Sequence, residues 1–162
     1  MDIEKIHHKL KTQFEKTILD LKTPDPQTGS DQFIEAAADR IHAVLKFLKE
    51  DPNLCFDNIV CISGVDLKDR FEVVYHFHSY KQLHKVAIKT SLTDRDRPEV
   101  ESVSDLWKGA DWLEREIYDM FGIRFKNHPD LKRILCPDDW EGHPLRKDYK
   151  HQPFYHGVKV GM

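Results

Sequence analysis

The sequence predicts an α+β fold: a two-layer domain with N-terminal helices packed on a small mixed or antiparallel sheet, a helix at about residues 111–121, then an extended C-terminal arm. Three observations carry this. Apolar residues recur at helical spacing through the first fifty positions, the period changes to two between about residues 59 and 90, and all periodicity ends after residue 126. The chain therefore divides into an α+β domain over 1–126 and a partner-binding arm over 127–162.

In residues 1–22, Ile3, Ile6, Leu10, Phe14, Ile18 and Leu21 lie three or four apart, the stripe of one amphipathic helix. Pro24, Pro26 and Gly29 then break it. Ser30 or Asp31 can cap a second helix, with Phe33, Ile34, Ala37, Ile41, Val44, Leu45 and Leu48 facing inward as far as Pro52. A short strand is expected over 59–62, ended by Ser63-Gly64. Over 70–79, Phe71, Val73, Tyr75 and Phe77 alternate with Glu72, Val74, His76 and His78, a half-buried strand. A polar link at 80–84 and a strand carrying Val86, Ile88 and Thr90 complete an antiparallel hairpin. Pro98 is expected to open a helical stretch with Val103, Leu106 and Trp107 on one face, interrupted at Gly109. Asp111 can cap the helix over 112–121, whose stripe is Leu113, Ile117, Met120 and Phe121, and Gly122 stands where helices commonly end.

Residues 127–162 carry four prolines and no period, yet hold Leu131, Ile134, Leu135, Trp140, Leu145, Tyr149, Phe154 and Tyr155. That is too much apolar area for a plain disordered tail, so the arm is expected to lie along another protein. Few internal bonds are foreseen for it, so ordering on a partner is the expectation.

Composition narrows the function. The 162 residues hold 25 basic and 28 acidic side chains, a net charge of −3, without the basic excess that nucleic acid demands. No uncharged run exceeds eight residues, whereas a membrane helix needs about 20 apolar ones. The start, Met1-Asp2-Ile3-Glu4, has neither a basic leader nor an apolar core, so no secretory signal is expected. Cys55, Cys61 and Cys136 are too few and too scattered for a disulfide framework, a zinc site or an iron–sulfur cluster, and read as reduced thiols.

The run Glu114-Arg115-Glu116-Ile117-Tyr118-Asp119-Met120-Phe121-Gly122-Ile123-Arg124-Phe125, continued by His128-Pro129-Asp130-Leu131-Lys132-Arg133-Ile134-Leu135, resembles the hallmark of one family. So do Trp140-Glu141-Gly142-His143-Pro144-Leu145-Arg146-Lys147-Asp148-Tyr149 and, upstream, Arg70-Phe71-Glu72-Val73-Val74-Tyr75-His76 and Ser104-Asp105-Leu106-Trp107. The family is the roughly 30-kDa subunit of respiratory complex I, the C-type subunit of bacterial NADH:quinone oxidoreductase. The specific part covers residues 103–149, and the looser part reaches back to about residue 54.

The resemblance implies a non-catalytic structural subunit of the hydrophilic arm of a proton-pumping enzyme, peripheral at the cytoplasmic face of the bacterial inner membrane. It would bind no cofactor itself; flavin and iron–sulfur clusters would sit in partner subunits. Its chief partner would be the quinone-chamber subunit of the 49-kDa type, and the holoenzyme would pass electrons from NADH to a quinone such as ubiquinone. On this view Glu114, Arg115, Glu116, Tyr118, Asp119, Phe121, Gly122, Phe125, His128, Pro129, Leu131, Arg133, Trp140, His143, Pro144, Arg146, Asp148 and Tyr149 are family-motif residues at subunit contacts.

Between positions 114 and 150 eight acids face eight bases, which suits paired contacts more than acid–base chemistry. Arg115 and Asp119, four apart, can pair on the helix surface for roughly 0.2–0.5 kcal/mol. Arg133 and Arg146 can each hold a carboxylate in two places, and Pro129, Pro137 and Pro144 pre-set the backbone for docking. Two rivals stand beside this reading. One is the equivalent subunit of a membrane-bound hydrogenase or a ferredoxin-fed quinone oxidoreductase. The other, from a different class, is a stand-alone metal enzyme built on His76, His78 and His84 with Glu72.

Overall fold

The computed structural model of the chain describes residues 1–23 and 32–160, so the expected proline turn and the Ser30 or Asp31 cap lie outside the described residues. The architecture is α+β. Helix α1 (Ile3–Gln13) leads to strand β1 (Ile18–Lys22), strand β2 (Phe33–Ala36), a 3₁₀ turn at Ala38–Arg40 and helix α2 (Ile41–Glu50). Strands β3 (Asn58–Asp66), β4 (Phe71–Ser79) and β5 (His84–Leu92) follow, then β6 (Glu99–Glu101), helix α3 (Ala110–Phe121) and β7 (Arg124–Lys126). The arm carries a two-residue hairpin, β8 (Phe154–Tyr155) with β9 (Val158–Lys159).

The main sheet is mixed, in the order β1-β2-β5-β4-β3, with the β2–β5 pair parallel and the others antiparallel. Alternation along β4 turns Phe71, Val73, Tyr75 and Phe77 into the core, where β5 adds Val86, Ile88 and Leu92. Ile6 and Leu10 of α1, Val44, Leu45 and Leu48 of α2, and Ala110 and Ile117 of α3 join the same cluster. Trp107 seals one end, its indole N–H donating to the Phe56 carbonyl at 3.2 Å and its ring 4.8 Å from Phe77.

Four expectations from the sequence are corrected. The first helix stops at Gln13, and residues 18–22 are strand: a bulge between Ile18 and Asp20 puts Ile18 and Leu21 on one face, three apart, and so imitates a helical period. Residues 33–36 are also strand, because β2 is needed to join β1 to β5, and α2 begins only at Ile41. Strand β3 runs through Ser63-Gly64 to Asp66; Gly64 is a close approach, since a Cβ there would meet the Phe121 ring at 2.8 Å. The stretch after Pro98 is no helix: β6 pairs in parallel with β7, and Val103 and Trp107 are buried by a turn closing on the Val103 carbonyl.

Candidate interaction site at the junction of helix α3 and the arm

Helix α3 begins after Gly109 and ends where Gly122 takes φ +73°, at the glycine expected to stop it. Two of its acids, however, are turned inward. Asp119 is fully buried: Oδ1 accepts from Arg133 Nη1 at 2.6 Å, and Oδ2 accepts the backbone N–H groups of Ile134, Leu135 and Cys136 at 3.1, 2.8 and 2.8 Å. Burial alone would raise its pKa, but these donors together hold it below the ordinary value. The expected surface pair with Arg115 is therefore replaced. Arg115 donates instead to the carbonyls of Lys132 and Arg133, at 3.2 and 3.0 Å.

The next part of the arm is held at the same helix end. His143 Nδ1 lies 2.9 Å from the Asp119 carbonyl, Arg146 Nε donates to the Phe121 carbonyl at 2.5 Å, and Leu145 N–H donates to the Met120 carbonyl at 3.0 Å. Burial, first, and the nearby Arg146 and Arg133 charges push the His143 pKa down. Gly122 is required twice: by its left-handed φ, and because a Cβ there would stand 2.5 Å from His143 Nε2.

A second carboxylate pins the arm one step later. Asp66, at the buried end of β3, accepts both Arg95 Nη1 and Nη2 at 2.6 and 3.1 Å, and the backbone N–H of Lys147 at 2.9 Å. The Arg95 guanidinium, acting against burial, holds its carboxyl well below the usual range. Arg95 and Arg146 both lie over the Phe71 ring, 4.4 and 5.0 Å from its centre, and Asp148 approaches Arg95 at 3.7 Å.

The other motif residues are placed as follows. Glu114 and Phe125 are buried, Leu131 packs on the core, and Phe121 lies over Gly64. Tyr118 is half-buried with its ring 6.1 Å from His143, and Pro144 is half-buried, while Glu116, Pro129 and Asp148 are exposed. Trp140 bonds Tyr149 Oη through its indole N–H at 3.1 Å and packs 5.2 Å from Tyr155, so it holds the arm together internally. The His128 side chain is fully buried beside Glu114 and Asp111. Asp66 and Arg95 are site residues that the sequence does not reveal. An acid on an inward strand position is the available signal, and it is lost when the strand is ended at Ser63-Gly64.

The histidines of the metal-enzyme reading are not brought together. His76 and His78 border an open groove of about 690 Å³, whereas His84 points into the core, its Nε2 2.7 Å from the Leu54 carbonyl and its ring 4.6 Å from Phe56. Among the described residues no three His, Cys, Asp or Glu side chains gather as a metal site.

Residues 34–155 match the family model described as the respiratory-chain NADH dehydrogenase, 30 Kd subunit. The C-type subunit of NADH-quinone oxidoreductase from Chloroherpeton thalassium is 52% identical over 124 residues, covering 75% of this chain and 51% of that relative. The chain thus spans about half the length of that relative. The same C-type subunit from Chlorobium phaeobacteroides is 50% identical over 70% of each chain, and that from Geobacter sulfurreducens is 40% identical over 89% of this chain and 87% of the relative. Among solved structures, a chain of the membrane-bound sulfane sulfur reductase, an archaeal respiratory membrane complex, superposes with TM-score 0.72 at 25% identity, covering 91% of this chain and 85% of that one.

Proposed function

The chain belongs to the 30 Kd subunit family of the respiratory-chain NADH dehydrogenase, and from that premise we propose that it is a non-catalytic scaffold of the hydrophilic arm of a proton-pumping NADH:quinone oxidoreductase. It packs on the quinone-chamber subunit, binds no flavin or cluster itself, and lies peripherally at the cytoplasmic face of the membrane. Among the described residues no helix is long and apolar enough to cross a bilayer, which accords with peripheral attachment.

One observation carries the reading. Leu135 and Leu145 have their backbone N–H groups bonded to the last turn of α3, through the Asp119 carboxylate and the Met120 carbonyl, yet their side chains are 62% and 53% exposed. The charged motif residues hold the arm's shape from inside, and the leucines present apolar area outward. Burying such a side chain on a partner contributes roughly 1.5–3 kcal/mol.

The test is assembly. With all partner subunits co-expressed, Leu135→Asp and Leu145→Asp should leave this chain folded but lower the amount of complex on native gels, with turnover per assembled complex unchanged. The purified chain should be colourless and inactive toward NADH and quinone. Normal assembly with low turnover would place the chain in the chemistry and defeat the scaffold reading. A second reading, the equivalent subunit of a related complex fed by another donor, is favoured by the likeness to the sulfane sulfur reductase chain. Quinone reduction by the assembled complex with ferredoxin but not NADH would select it.

A further inference from the structure

Glu114 is a fully buried carboxyl at the second turn of α3, and both groups that donate hydrogen bonds to it are neutral. Oε1 accepts the Val103 N–H at 2.7 Å, and Oε2 lies 2.6 Å from the Ser102 hydroxyl. The base that approaches it is His128, whose Nε2 is 3.9 Å from Oε2. Asp130 N–H donates to the ring's Nδ1 at 3.1 Å, and Nε2 lies 3.2 Å from the Asp111 carbonyl. Asp105 and Asp111 add negative charge nearby, and the Tyr75 hydroxyl, fully buried in β4 within the field of Glu114, has no hydrogen-bond partner among the described residues.

The hydroxyls continue outward. Ser102 Oγ is 2.8 Å from Ser104 Oγ, and Ser102 also lines an open polar cleft of about 520 Å³ bordered by His42, Glu101, Asp105 and Asn127. A hydroxyl so placed can pass a proton by accepting on one side and donating on the other.

We propose that Glu114 is a proton-binding site, filled and emptied from this cleft through the Ser102 hydroxyl. On release, the Glu114 Oε2 proton moves to Ser102 Oγ as the Ser102 proton passes to water in the cleft that Ser102 lines. One proton leaves, and Ser102 then donates to the carboxylate. Burial, opposed by the Ser102 and Val103 donors, pushes the Glu114 pKa up to about 7, in keeping with the geometry.

Infrared titration of the full chain tests this. A protonated-carboxyl carbonyl band should be present below neutral pH and fade with a midpoint near pH 7. It should shift on ¹³C labelling of glutamate but not of aspartate, and be lost in Glu114→Gln. Ser102→Ala removes a donor to the ionised form, so its midpoint should move up, and deuterium uptake by the carboxyl should slow. No such band in folded wild-type protein, a band shifted by labelled aspartate, or a midpoint that moves down in Ser102→Ala would overturn the proposal. The labelling arm decides even where Glu114→Gln folds poorly.

Discussion

Asp119 and Arg133 form a buried ion pair at 2.6 Å, and each partner also organises backbone: Asp119 takes three consecutive N–H groups, and Arg133 Nη2 donates to the Trp140 and Gly142 carbonyls at 2.8 and 2.9 Å. One carboxylate thereby shapes residues 133–142. Such a pair is hydrogen-bonded on both sides, which offsets the desolvation that otherwise makes buried ions weak stabilisers. The arm up to about residue 149 is thus bonded to its own domain.

Removing one member of the pair leaves the other buried without its charge, which costs about 3–5 kcal/mol. We expect Asp119→Ala to reach that range in urea unfolding, and Asp119→Asn to be strongly destabilised too, because its amide N–H2 must face either the Arg133 donor or the three backbone N–H donors. Hydrogen exchange should be slow at Leu135, Cys136 and Leu145 in the wild type and fast in Asp119→Ala, with the β4–β5 hairpin protected in both. A loss under about 1 kcal/mol, or fast wild-type exchange at those amides, would show that the arm orders only on a partner.

Gly122 and Gly157 make a controlled comparison, since both have positive φ, +73° and +78°, but a Cβ at Gly157 meets nothing within 4 Å. Gly157→Ala should cost about 1–2 kcal/mol from backbone conformation alone. Gly122→Ala adds the clash with His143 and Arg146 and should cost clearly more. Equal melting temperatures for the two variants would mean that the arm yields freely at this point.

The sequence made the β4–β5 hairpin and α3 legible because period, link and terminal glycine all agreed there. It misled where a bulge intervened in β1: Ile18 and Leu21 are three apart and share a strand face. Asp119 was unreadable for a different reason. An acid four residues from an arginine fits an exposed helix pair, and only the return of residues 133–136 across α3 reveals the buried use. Tyr149 and Trp140 were legible as anchors of the arm, but not that they anchor it to each other.

Arg95 holds Asp66 with two bonds and covers Phe71, so charge and shape both matter at this position. Arg95→Ala should cost about 3–5 kcal/mol by stranding the Asp66 carboxylate. Arg95→Lys should recover less than half of that loss, because an ammonium cannot reproduce the planar two-pronged contact. Full rescue by lysine in urea unfolding would show that charge alone holds the Lys147 end of the arm.

The pH dependence of stability separates the two kinds of buried acid. Asp66 and Asp119 have pKa values lowered by folding, so their contribution is present above the ordinary aspartate range and is lost as acid protonates them in the folded state. Glu114 is raised from 4.5 to about 7, so the folded chain binds the proton more tightly than the unfolded one. Its contribution is complete below pH 4.5 and disappears as pH rises through about 7, a change of roughly 3 kcal/mol at most. His143, lowered by burial, works the other way near its ordinary value, gaining stability as pH rises, so a single wild-type curve mixes opposing slopes. Comparison with Glu114→Gln cancels the His143 contribution, since the amide keeps the shape of the neutral acid and cannot ionise. The difference in unfolding free energy, wild type minus Glu114→Gln, should therefore fall between about pH 4.5 and 7 and level off above. A difference that stays constant across that window would mean that Glu114 ionises in the folded chain as it does in the unfolded one.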